Sequence, residues 1–101
     1  MIKFMKIAFF EVEDWEKAYL EQKLAGNELV FYATPFTPER IEEVKDVEAI
    51  STFIYSNLTK EVINTLPKLR LITTRSTGYD HIDVACTRYN KIVICNVPHY
   101  G

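Results

Sequence analysis

Apolar residues along this chain gather into five short runs, each followed by a polar stretch whose apolar positions recur at helical spacing or by a turn. The runs are residues 6–10 (KIAFF), 28–32 (ELVFY), 49–54 (AISTFI), 69–74 (LRLITT) and 92–95 (IVIC). They are rich in β-branched and aromatic residues, and their near-continuous apolarity suits strands covered on both faces. Between the first two runs, Asp14 is placed to cap a helix that turns Trp15, Ala18, Tyr19 and Leu24 towards the sheet, with Gly26 as its stop. Thr37, Pro38 and Glu39 then read as N-cap, first helical position and an acid at the positive helix end, with Ile41 and Val44 as the buried stripe. Thr59 caps a third helix carrying Val62, Ile63 and Leu66 on one face, ended by Pro67. Asp83 caps a fourth over residues 84–89, with Asn90 as a left-handed stop.

Strands alternating with helices imply right-handed crossovers and a parallel sheet with helices on both faces. Five such units predict one flavodoxin-like domain over residues 1–101: a three-layer α/β/α sandwich around a five-stranded parallel sheet of order 2-1-3-4-5. A ligand is then expected at the carboxyl ends of the strands, in residues 10–14, 55–57, 75–80 and 96–100.

Composition narrows the functional classes. Of 101 residues, 48% are hydrophobic and 26% charged, an ordinary globular balance. The net charge of -2, with both signs interspersed, offers no electrostatic footprint for nucleic acid or an anionic membrane. The apolar start is broken by Lys3 and Lys6 and lacks a small-residue cleavage site, so it is not read as a signal peptide. No run approaches the ~20 apolar residues that span a bilayer. Cys86 and Cys95 have neither CxxC nor metal-ligand spacing and are expected to be reduced, buried thiols of a cytoplasmic protein.

Three common users of this fold can be tested on the strand ends. A flavodoxin needs a hydroxyl- and glycine-rich loop after the first strand, where this chain has Glu11-Val12-Glu13-Asp14. A response-regulator receiver needs an acidic pair, an Asp and a Lys at successive strand ends. Glu11 and Glu13 imitate the first, but Tyr55 and Asn96 stand at the others. A dinucleotide fold needs GxGxxG at its first helix, which Gly26, Gly78 and Gly101 cannot form. What remains is the turn over residues 75–83, RSTGYDHID. Gly78 permits φ > 0, and successive N–H groups there could form a nest for a carboxylate. The same residues could equally make a tight βα turn capped by Asp80 and Asp83.

The segment STGYDHID (76–83) resembles the signature of the D-isomer-specific 2-hydroxyacid dehydrogenase family, S-x-G-x-D-x-I-D. The flanking LPKLRLITTR and VACTRYNKIVICNVPHYG resemble the same stretch, as does FIYSNLTKEVINTLPKL over residues 53–69. The likeness is close over residues 49–101 and extends to the first half only in its βα pattern. It implies a two-domain NAD-dependent oxidoreductase, with substrate held between a catalytic domain and an NAD-binding domain. The backbone N–H groups of Thr77 and Gly78 would receive the substrate carboxylate. Position 77 is more often Val in the family, which a backbone contact tolerates. Tyr55 and Tyr100 match pocket-lining positions of the D-lactate dehydrogenase-like branch, towards which the chain leans.

Each nominated side chain has an alternative role. The alternatives are cover for the sheet edge for Tyr55, a structural ion pair rather than a cation for substrate for Arg75, and surface packing for His81. His99 does not match the family's catalytic histidine. The resemblance places the catalytic Arg, acid and His, and the cofactor fingerprint, in a part of the parent enzyme that these 101 residues do not include. The chain alone is therefore expected to bind no cofactor and to be inactive. The family's C-terminal helix would likewise be missing, leaving an apolar strip on one sheet face or edge and favouring a homodimer. A stand-alone flavodoxin-like binding or interaction module is the alternative from a different class.

Overall fold

A right-handed crossover puts its helix on one face of a sheet when the chain moves one way along it, and on the other face when it moves back. The computed structural model describes residues 5–53, 55–75 and 81–96, and in it the chain reverses direction once. Strands β1 (Lys6–Phe9), β2 (Glu28–Phe31), β3 (Ala49–Thr52), β4 (Leu71–Thr74) and β5 (Val93–Asn96) form one parallel sheet in the order β2-β1-β3-β4-β5. The helices are α1 (Asp14–Lys23), α2 (Ile41–Val44, entered through a 3₁₀ turn at Pro38–Arg40), α3 (Lys60–Asn64) and α4 (Val84–Tyr89). The topology is the one expected from the alternating pattern.

Side chains alternate across each strand, so the two faces can be read from their neighbours. Ala8, Phe10, Ile50 and Ile72 join Val44, Val62, Ile63 and Cys86 in the main core, under α2, α3 and α4. Ile7, Phe9, Ala49, Ser51, Leu71 and Thr73 point the other way, where Tyr19 and Leu20 of α1 and its C-cap Leu24 face them. Between that helix and the sheet lies an open groove of about 420 Å³. Beyond it, Val93 on edge strand β5 remains 57% exposed. An apolar strip on one sheet face was expected, and this is its place.

Several local expectations are corrected. Asp14 is the first residue of α1 rather than its cap. Glu13 holds the cap position, its N–H donating to Glu16 Oε1 at 3.0 Å. Trp15 (55% exposed) and Ala18 face solvent, while Glu16, Tyr19, Leu20 and Leu24 turn inward. The helix is rotated because Glu16 is drawn inside by a buried cation. Asn90 folds its amide back onto the Cys86 carbonyl (2.9 Å), so the left-handed turn falls one residue later, on Lys91 (φ 59°). Cys86 is buried but Cys95 is exposed, because it lies on the open face of the edge strand; both are free thiols. The caps at Thr59 and Asp83 form as expected, accepting from Val62 N (3.4 Å) and Cys86 N (2.9 Å).

Candidate functional site

In open parallel sheets the ligand crevice lies beyond the carboxyl ends of the strands, where the winding reverses. Here that point falls between β1 and β3, and two charged residues organise it. Arg75, the first residue after β4, is 8% exposed. Its Nε donates to Thr52 O (3.4 Å), Nη1 to Glu11 O (3.3 Å) and Glu16 Oε2 (3.0 Å), and Nη2 to Phe10 O. Its main-chain N–H also reaches Thr52 O at 2.9 Å. One guanidinium thus ties together the carbonyls that end β1 and β3 and the carboxylate that α1 brings inward. Such a buried cation is tolerated because it is paired and its fork of donors is matched. Of the two roles open to Arg75, the structure shows the structural ion pair.

Glu11 is the second organiser. Its φ of 61° lies in the left-handed region, at a cost of about 1–3 kcal/mol for a residue with a Cβ. That geometry lets Glu11 N and Val12 N donate to Thr34 O (3.0 Å) and Tyr32 O (3.1 Å) past the end of β2. The carboxylate reaches the opposite neighbour. Oε2 accepts from Phe53 N (3.0 Å) and Ser56 Oγ (2.7 Å), and Oε1 accepts from Tyr55 N (3.0 Å). Fully buried Ser56 accepts in turn from Phe36 N at 2.9 Å. The loop leaving β3 has no strand to pair with, and one carboxylate supplies the missing acceptors. Tyr55 itself projects outward, 69% exposed.

The residues that follow segment 76–80 are anchored too. Leu58 N donates to His81 O (2.8 Å), Asp83 N donates to Leu58 O (2.9 Å), and Leu58 bridges Ile82 in parallel. His81 Nε2 lies 3.0 Å from Thr74 Oγ1. These contacts tie His81 to the end of β4 and to Leu58. Thr77, Gly78, His99 and Tyr100 lie outside the described residues. Of the nominated site residues the structure therefore places Tyr55, beside Glu11 and at the same end of the sheet as Arg75. Reasoning from sequence missed Glu11, Glu16 and Ser56 as the framework. The available signal was a charged residue, Glu11 or Arg75, immediately after each of the apolar runs that end at residues 10 and 74.

A dinucleotide's pyrophosphate needs free N–H groups and positive potential at a strand-to-helix turn. The corresponding turn here carries the Glu11 carboxylate and, in the first turn of α1, Asp14 and Glu16. The described residues do not fit that group. Among them, no three His, Cys, Asp or Glu side chains gather to hold a metal, and no helix is long and apolar enough to cross a membrane.

Comparison with known proteins gives a consistent picture. Residues 7–101 match the family model described as D-isomer specific 2-hydroxyacid dehydrogenase, catalytic domain. A glyoxylate reductase of Pyrococcus furiosus is 33% identical over 89 residues, covering 88% of this chain and 22% of that protein. A 2-hydroxyacid dehydrogenase homolog of Zymomonas mobilis is 29% identical over 101 residues, covering 96% of this chain and 30% of that protein. Among solved structures, D-lactate dehydrogenase from Aquifex aeolicus, complexed with NAD and lactic acid, superposes with a TM-score of 0.84 at 33% identity. That match covers 94% of this chain and 28% of the other. The chain thus spans less than a third of the length of these relatives.

Proposed function

Because this chain belongs to the D-isomer specific 2-hydroxyacid dehydrogenase family, matching its catalytic domain over residues 7–101, we propose that it forms the substrate-holding wall of an NAD-dependent enzyme that interconverts 2-hydroxy and 2-oxo acids. The observation that carries this reading is the anchoring of the residues on either side of segment 76–80. Arg75, just before it, is tied to the ends of β1 and β3, and Ile82, just after it, bridges Leu58. A segment tethered at both ends has fewer conformations to lose when it binds an anion, which lowers the ordering cost of binding. In this reading Thr77 and Gly78 donate main-chain N–H groups to the substrate carboxylate, with Tyr55 and Tyr100 lining the pocket around the rest.

The partner across the cleft is then an NAD-binding domain of the same parent protein, and residues 1–101 are the substrate domain. The acidic first βα turn supports that division, since it is unsuited to a pyrophosphate. The D-lactate dehydrogenase of Aquifex aeolicus, whose structure holds NAD and lactic acid, supports a small 2-oxo acid such as pyruvate as the substrate class. Titrating the 101-residue chain with pyruvate and following its amide resonances tests the assignment. The expected result is saturable shifts at residues 76–78 and at Tyr55, with no oxidation of NADH by the chain alone. Shifts that are absent, or that acetate reproduces equally across the surface, would refute the site. Turnover of NADH by this chain would refute the division of labour.

A further inference from the structure

We propose that Glu11 is a positioning residue for the substrate pocket: its carboxylate sets the loop that presents Tyr55. This rests on the reading above, in that Tyr55 is taken to line the pocket. Three observations converge on it. Glu11 occupies the switch point between β1 and β3, where ligands of this fold class sit. Its backbone is left-handed at φ 61°, a conformation that glycine would adopt without penalty, yet the position holds an acid. And the two carboxylate oxygens serve three donors of one loop, Phe53 N, Tyr55 N and Ser56 Oγ, none of which belongs to Glu11's own turn.

Fold stability alone would not call for this arrangement. The loop could leave the sheet with its N–H groups in water, as Tyr55 and Phe53 are both exposed. A charged acceptor gives short, directional bonds instead, and so fixes the direction in which Tyr55 leaves the backbone. Ser56 extends the hold by accepting from Phe36 N, which ties the same loop to the segment before α2. Arg75 adds a second connection: it binds the Glu11 carbonyl, so the loop after β3 and the end of β4 share one framework. Residues on three strand ends are thereby set relative to one another before any substrate is present.

The test compares the wild-type 101-residue chain with Glu11→Gln and Glu11→Gly. Glutamine keeps the size but can accept on one side only. Glycine removes the carboxylate while relieving the left-handed backbone, so this variant has a reason to stay folded. Amide hydrogen exchange is read at Phe53 and Tyr55, with Ala8, Ile50 and Ile72 as reporters of the sheet. Pyruvate affinity is read from the same resonances. Both variants should lose protection at Phe53 and Tyr55 with the sheet reporters unchanged, and should bind pyruvate about tenfold more weakly or worse. Ser56→Ala, which spares both N–H bonds, should fall between them and wild type. Unchanged protection at Phe53 and Tyr55, or wild-type affinity in both Glu11 variants, overturns the inference. A wild-type chain that ignores pyruvate refutes the substrate reading instead, and the exchange arm then decides whether Glu11 positions the loop.

Discussion

Arg75 and Glu16 show how much one buried pair can organise. Glu16 would be an ordinary surface acid on α1 if no cation waited inside, and Arg75 could not stay buried without Glu16 and the strand-end carbonyls. Removing one partner leaves the other charged and desolvated, which typically costs about 3–5 kcal/mol. Arg75→Met is therefore expected to lose stability of that order in urea denaturation. Arg75→Lys should recover little of it, because a single ammonium cannot reach Phe10 O, Thr52 O and Glu16 together. The double variant Arg75→Met/Glu16→Leu should be clearly less destabilised than the sum of the single changes. Additive losses would mean that the two side chains act independently. The Arg75 ion pair could be anticipated from the sequence as one of two roles. Its partner could not, because an acid three residues into an amphipathic helix is normally assigned to the wet face.

At the scale of elements, a similar pairing closes the other end of the sheet, in a setting that water dominates. Lys6, opening β1, donates to Asp46 Oδ1 (2.9 Å) and Oδ2 (3.1 Å) in the turn before β3, and lies 3.7 Å from Glu28 on β2. The hydrogen bond from Lys6 holds the Asp46 carboxyl below its ordinary value, and the bond to Asp46 raises Lys6. A depressed acid stabilises the fold above its unfolded pKa, about 3.9, and that contribution is lost as pH falls through the lower folded value. A raised lysine stabilises below about 10.4, and loses that contribution as pH rises through its higher folded value. The pair is thus fully effective between roughly pH 4 and 10. Because both groups are solvated, the effect on stability should be small and weakened by salt. Following the Asp46 carboxyl carbon by NMR should give a midpoint below that of a free aspartate, and Lys6→Met should return it upward. An unmoved midpoint in that variant would exclude Lys6 as the cause. Element order and type were legible throughout, since the five apolar runs and the caps at Thr59 and Asp83 are local signals. Helix rotation was not: the stripe read as Trp15, Ala18, Tyr19 and Leu24 is displaced onto Glu16, Tyr19, Leu20 and Leu24 by the contact with Arg75.

For the whole molecule, the uneven distribution of helices has a consequence. Among the described residues, three helices cover one sheet face and a single helix the other, leaving the groove over Ile7, Phe9, Ala49 and Leu71 open and Val93 exposed on the edge strand. Open apolar faces and bare sheet edges both favour association. The 101-residue chain is expected to form a dimer with a second copy across this face, so that light scattering gives a mass rising towards twice that of the chain with concentration. Val93→Lys, which places a charge on the edge strand, should shift the equilibrium towards monomer. A monomer at high concentration, or a dimer indifferent to Val93→Lys, would count against the face.

Local and periodic information is carried by the chain order itself. The alternation of runs, the handedness of crossovers and the turn resembling a family signature all depend on neighbours within about a dozen residues, and together they lead to the sheet order and the family. The roles of Glu11, Glu16, Ser56 and Arg75 depend on partners 20 to 65 positions away, from Ser56 with Phe36 to Arg75 with Phe10. Nothing in a local window distinguishes an acid that will meet a strand-end cation or a loop's N–H groups from one that will meet water. Only when the winding reversal sets the ends of β1, β3 and β4 side by side do these groups meet their partners, and for the Arg75–Glu16 pair burial makes the pairing obligatory.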